Sequence, residues 1–129
     1  MNQRIALGLA MLAGAAFGAV SVNGLNAQGK APAAYAVVDI SEISDPDFFK
    51  TLLPKAEPAI TAFGGKFVVR TENIAGLDGT PPKRFVVIGF DSMDKAKAWD
   101  ASAAQQEVDA IRMKSTKSRS FVVEATPVP

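Results

Sequence analysis

The chain has 129 residues, room for one ordinary domain, with no cysteine and no histidine. Thiol, Ser–His and Cys/His-metal chemistry are thereby excluded, and neither a metal nor a cofactor is expected. Apart from Arg4, 13 Lys and Arg balance 13 Asp and Glu, which argues against a nucleic-acid partner, since such proteins carry a basic excess.

Residues 1–27 open with Met1-Asn2-Gln3-Arg4 and continue from Ile5 to Val22 without a charge. A short positive start, an apolar run and then small residues make the pattern of a secretory signal segment, with cleavage expected after Ala27. The expected location is therefore exported, periplasmic. The run is slightly shorter than the roughly 20 apolar residues that cross a bilayer, so a membrane association is expected only if the segment stays uncleaved as an anchor. Residues 28–34 read as a linker, and residues 35–126 as one domain.

The domain begins with a strand over Tyr35–Ile40, short, apolar and β-branched. Asp45-Pro46-Asp47 starts a helix: Asp45 caps, Pro46 suits the first position, and Asp47 meets the positive end of the dipole. Phe48, Leu52, Ala56, Ile60 and Phe63 follow at helical spacing, while Pro54 and Pro58 predict a kink or two short pieces. Gly64-Gly65 ends the helix. A second strand covers Lys66–Thr71, a turn-rich loop 75–82, and a third strand Arg84–Phe90. Ser92 caps a helix through Met93, Ala96 and Trp99; a further helical stretch spans about 103–113, and Ser118–Glu124 is the fourth strand.

The order β-α-β-β-α-β is the ferredoxin-like α+β arrangement, an antiparallel sheet with helices on one face. The strands Phe67-Val68-Val69, Phe85-Val86-Val87-Ile88 and Phe121-Val122-Val123 are apolar on consecutive residues. Strand side chains alternate between faces, and a sheet with one wet face should alternate apolar and polar. Both faces are therefore expected to be covered, one by helices and the other by a second copy of the chain in a homodimer.

From Tyr35 onward the sequence resembles the domain-of-unknown-function family 1330, a bacterial group in the dimeric α/β-barrel superfamily. The matching residues are Tyr35, Asp45-Pro46, Gly64-Gly65, Arg70 and Pro82-Lys83-Arg84, then Phe90-Asp91-Ser92-Met93, Ala96 and Trp99, and finally Ser102, Gln106, Arg112 and Ser118-Arg119. The resemblance covers about residues 34–126. Similar sequences often carry a proline and a tyrosine after the serine at 102, where this chain has Ala103 and Gln105. The resemblance implies the fold and the dimer, and no reaction. Distant superfamily relatives include monooxygenases and haem-degrading enzymes, but fold does not fix function.

The residues that could carry chemistry are polar groups next to apolar strands. Arg70, Arg84 and Arg119 each adjoin such a strand, and Tyr35, the sole tyrosine, opens the first one. Three guanidiniums near one pocket would hold a carboxylate or other anion through paired hydrogen bonds. The structural alternative pairs them with Glu72, Asp39 or Glu124. Asp39 and Glu42 are the acid–base candidates. The basic stretch Arg112, Lys114, Lys117 and Arg119 reads as a helix C-terminus favoured by the dipole, and Trp99 as core. Tyr35, Arg70, Arg84 and Arg119 are thus the candidate ligand-binding set. The function expected is binding of a small anionic or amphipathic molecule. The alternatives are a cofactor-free monooxygenase- or isomerase-like enzyme, or a structural envelope protein.

Overall fold

The structure, a computed structural model, describes residues 31–126; the expected signal segment, residues 1–27, and linker residues 28–30 lie outside the described residues. Strand β1 covers Ala34–Ile43, helix α1 Pro46–Lys50, helix α2 Leu53–Thr61, strand β2 Lys66–Thr71 and strand β3 Arg84–Phe90. Helix α3 covers Met93–Ala101, helix α4 Ala103–Ser115 and strand β4 Thr116–Glu124. The four strands form one antiparallel sheet in the order β2-β3-β1-β4. This is the ferredoxin-like α+β fold, with the helices on one face of the sheet. Among the described residues no helix is long and apolar enough to cross a membrane.

The helix caps follow local chemistry. Asp45 accepts from the backbone N–H of Phe48 at 3.1 Å, and Ser92 from that of Lys95 at 3.1 Å. Between α1 and α2 the chain makes a tight turn, with Thr51 and Leu52 donating to the carbonyls of Phe48 and Phe49 at 3.0 Å each. Pro54 falls in the first turn of α2, where its missing N–H leaves no bond unmade. The expected long helix is therefore two pieces. Pro58 does not break α2, in contrast to the sequence expectation, because one missing donor is tolerated in a helix held by its buried face. The turn also resets the phase: Phe49 is buried and Phe48 stays largely exposed, the reverse of the periodic reading.

The sheet sorts its side chains by parity. Ala34, Ala36, Val38 and Ile40 of β1, with Val86, Ile88 and Phe90 of β3, face the helices. One core cluster joins them to Ala59, Ile60, Ala96 and Trp99; a second joins Ile40 to Phe49, Leu52, Val108 and Ile111. Val38 packs against both. Phe90 and Trp99 pack with ring centroids 5.3 Å apart. A bulge at Val68 shifts the β2–β3 register, and another near Ser41 shifts β1–β4.

The opposite face is open and apolar. Val68 is 52% exposed, Phe121 44%, Val123 42% and Val69 38%. Tyr35 lies on this face, between Gly89 of β3 and Val123 of β4.

Candidate functional site

A cavity of about 240 Å³ lies where the two core clusters meet, between the sheet and the helices. Its walls are mostly aliphatic and aromatic: Val38, Ile40, Val86 and Ile88 from the sheet, Leu52 from the turn between α1 and α2, and Val108 from α4. Five residues bring polar groups to it: Arg70, Arg84, Trp99, Gln105 and Arg112.

Arg70 sits near the end of β2. Beyond the bulge it pairs with Val86, which puts it on the helix side of the sheet. Its guanidinium lies 4.3 Å from the centre of the Phe67 ring, a stacking contact that leaves the donors free. Arg70 is exposed and has no carboxylate partner among the described ion pairs. Arg84, the first residue of β3, shares that face. Its side chain is only 16% exposed, it donates to Glu72 at 3.3 Å, and it lies 5.8 Å from the Phe49 ring. Two guanidiniums thus flank the solvent side of an apolar cavity.

The inner wall is built by the α3–α4 junction. Ser102 ends α3 and caps α4: its hydroxyl donates to the Trp99 carbonyl at 2.7 Å and accepts from the Gln105 backbone N–H at 3.2 Å. One small residue thus fixes the spacing of Trp99 and Gln105. The Gln105 amide Nε2 donates to Asp109 at 3.0 Å, and Asp109 also accepts from Arg112 at 3.2 Å. Arg112 donates to the Ser118 hydroxyl at 2.7 Å as well. Among the described residues, two buried side-chain polar atoms have no protein partner: the indole Nε1 of Trp99 and Oε1 of Gln105.

The four residues expected at one site are divided by the sheet. Arg70 and Arg84 meet at the cavity. Arg119 and Tyr35 lie on the open face, because Arg119 stands opposite Asp39 and Tyr35 shares the parity of Asp39. The idea of three arginines around one pocket is corrected accordingly: strand alternation places an intervening sheet between Arg119 and the other two. Arg119 donates to Asp39 at 3.2 Å and is an ion-pair residue on an exposed surface. Asp39 and Glu42 do not reach the cavity either; Glu42 pairs with Lys117 at 3.6 Å.

Sequence reasoning missed two cavity residues. Gln105 entered only as a departure from similar sequences, which often carry a tyrosine there. Arg112 read as part of a basic helix C-terminus favoured by the dipole, yet it is turned inward and 9% exposed. Of that run Lys114 is exposed, as the dipole argument expects. Trp99 is core, 4% exposed, as well as a wall of the cavity.

The family model of a domain of unknown function, DUF1330, matches residues 33–126. No curated protein matches the sequence. Among solved structures, a protein of unknown function from Rhodopseudomonas palustris is similar with a TM-score of 0.62 and 11% identity, over 84% of this chain and 94% of that one. SnoaB, a cofactor-independent oxygenase from Streptomyces nogalater, is similar with a TM-score of 0.52 and 15% identity, over 76% of this chain and 97% of that one. At these identities the likeness is one of fold.

Proposed function

The chain belongs to the DUF1330 family, and on that premise we propose that it works as an exported homodimer whose domain binds a small amphipathic anion in the cavity between sheet and helices. The observation that carries this reading is Arg70: a guanidinium at an apolar cavity, stacked on Phe67 and without a carboxylate partner among the described ion pairs. Beside it Arg84 shares its charge with a single, largely exposed glutamate. A carboxylate at the solvent side would accept from both, and its carbon body would fill the aliphatic interior.

The competing reading, a cofactor-free oxygenase or isomerase, draws on the fold shared with SnoaB. Among the described residues, those that line the cavity include no carboxylate, lysine or tyrosine to move a proton, so the geometry supports binding better.

Export rests on the charge pattern of residues 1–27, and the dimer on the apolar open face of the sheet. A protein recovered from the envelope with Gln28 at its N-terminus is the expected result; an intact Met1 in the cytoplasm would overturn export.

The binding reading is tested by calorimetric titration with octanoate and hydrocinnamate. Each of Arg70→Met and Arg84→Met should weaken binding by roughly ten-fold or more, the worth of a hydrogen bond to a charged group. Equal affinity in parent and variants, or no binding of either carboxylate, would sink it.

A further inference from the structure

Three guanidiniums line the cavity, those of Arg70, Arg84 and Arg112. Among the described residues, two carboxylates pair with them: Glu72 meets Arg84 at 3.3 Å, and Asp109 meets Arg112 at 3.2 Å. One positive charge is left over, at Arg70. Register sets its neighbours. Arg70 pairs with Val86, and Arg84 stands two residues before Val86 on the same face of β3. The two arginines are therefore diagonal neighbours, with Cα atoms roughly 7–8 Å apart. Glu72 is the residue that follows β2. The Thr71 hydroxyl accepts from the Asn73 backbone N–H at 2.9 Å, a turn that holds the Glu72 backbone between them.

The exposures separate the two carboxylates. Asp109 is 19% exposed and belongs to the wall, whereas Glu72 is 60% exposed beside an Arg84 that is 16% exposed. Glu72 thus lies on the water side of the guanidinium that it neutralises. A ligand head with one negative charge brings the set to balance: two guanidiniums, Glu72 and the head. A doubly charged head carries a surplus without a cation and lies beside the Glu72 carboxylate. Like-charge repulsion and the loss of water both oppose that surplus. We infer that the site selects singly charged amphiphiles over doubly charged ones, with Glu72 as the specificity-determining residue that cancels half the charge of the arginine pair. This rests on the anion-binding reading of Arg70 and Arg84. Alkyl and aryl monocarboxylates and sulfonates fall within the class; phosphate monoesters fall outside it.

The test on the full-length protein compares hexane-1-sulfonate with hexane-1-phosphonate by calorimetric titration, with octanoate and hydrocinnamate as references. The first two share chain length and a tetrahedral head of three oxygens. At mildly alkaline pH, above the second ionisation of the phosphonate, they differ by one charge. The sulfonate should bind roughly ten-fold or more tightly, since the second charge of the phosphonate is desolvated without a partner. This preference is read on the parent protein and needs no variant to fold. In Glu72→Gln the affinity for the sulfonate should rise by roughly two- to five-fold, the scale of a single exposed charge contact. The phosphonate should gain more, so that its disadvantage narrows, and the narrowing should fade at high salt. A merely structural Glu72, holding Arg84 in place, would instead lower both affinities on replacement. Loss of both, or no change in either, overturns the role of Glu72. Equal or tighter binding of the phosphonate by the parent protein, with octanoate still bound, overturns the charge selection and leaves the anion site intact. Failure of octanoate, hydrocinnamate and the sulfonate alike overturns both.

Discussion

Arg112 and Asp109 stand three residues apart on α4 and join at 3.2 Å, with side chains only 11% and 19% exposed. The pair does two things. It neutralises a guanidinium turned into the domain, and it anchors the Gln105 amide that walls the cavity. A buried charge without a partner is strongly unfavourable, so each member depends on the other.

Arg112→Met should therefore lower stability by about 3–5 kcal/mol, the range for breaking a buried pair from one side. Urea unfolding at neutral pH measures it. A loss below about 1 kcal/mol would mean that the pair behaves as a solvated one.

Arg119→Met should do far less. Its partner Asp39 is 20% exposed, but the Arg119 side chain is 76% exposed, so solvent screens the contact. A loss within about 1 kcal/mol is expected by the same urea assay. Carboxylate affinity should not change, because Arg119 lies across the sheet from the cavity. Weaker binding in this variant would contradict that placement.

Gly65→Ala should destabilise the fold. A Cβ there would fall 2.7 Å from Ile60 Cγ2 and 2.7 Å from Phe90 Cε1. Both neighbours are core residues, 3% and 1% exposed, and cannot move aside freely. The overpacking cost is about 1–3 kcal/mol. Thermal unfolding of the variant should show a lowered midpoint, and an unchanged one would show that the turn after α2 relaxes.

The open face predicts the assembly state. Light scattering on residues 28–129 should give about twice the monomer mass, the commonest closed assembly. Phe121→Glu and Val123→Glu place charges among residues that are already 44% and 42% exposed, so the monomer should still fold while the dimer dissociates. A parent protein that is monomeric at micromolar concentration would defeat the proposal.

Much of the fold was legible because it depends on local chemistry. The strands Lys66–Thr71 and Arg84–Phe90 match their apolar, β-branched runs to the residue. The caps at Asp45 and Ser92 act as their side chains require. The break in the first helical segment was readable from Pro54, but its position was not. The tight turn at Thr51 and Leu52 changed which phenylalanine is buried. The grouping of the arginines was only half legible. Alternation along one strand shows which residues share a face with Arg84 or with Arg119, but it cannot relate the faces of two strands, which depends on register.

Composition and patterning by themselves determined that this chain lacks cysteine and histidine, carries balanced charge beyond Arg4, and has the β-α-β-β-α-β order. Each of these is a property of residues or of short segments. Only the tertiary structure decided that Arg70 and Arg84 meet at a cavity while Arg119 and Tyr35 lie behind the sheet. It alone turned Arg112 inward to Asp109 and left Trp99 Nε1 and Gln105 Oε1 without protein partners. The reason is physical: which polar atom finds a partner depends on pairing register and helix packing between segments far apart in the chain, and no local pattern encodes that.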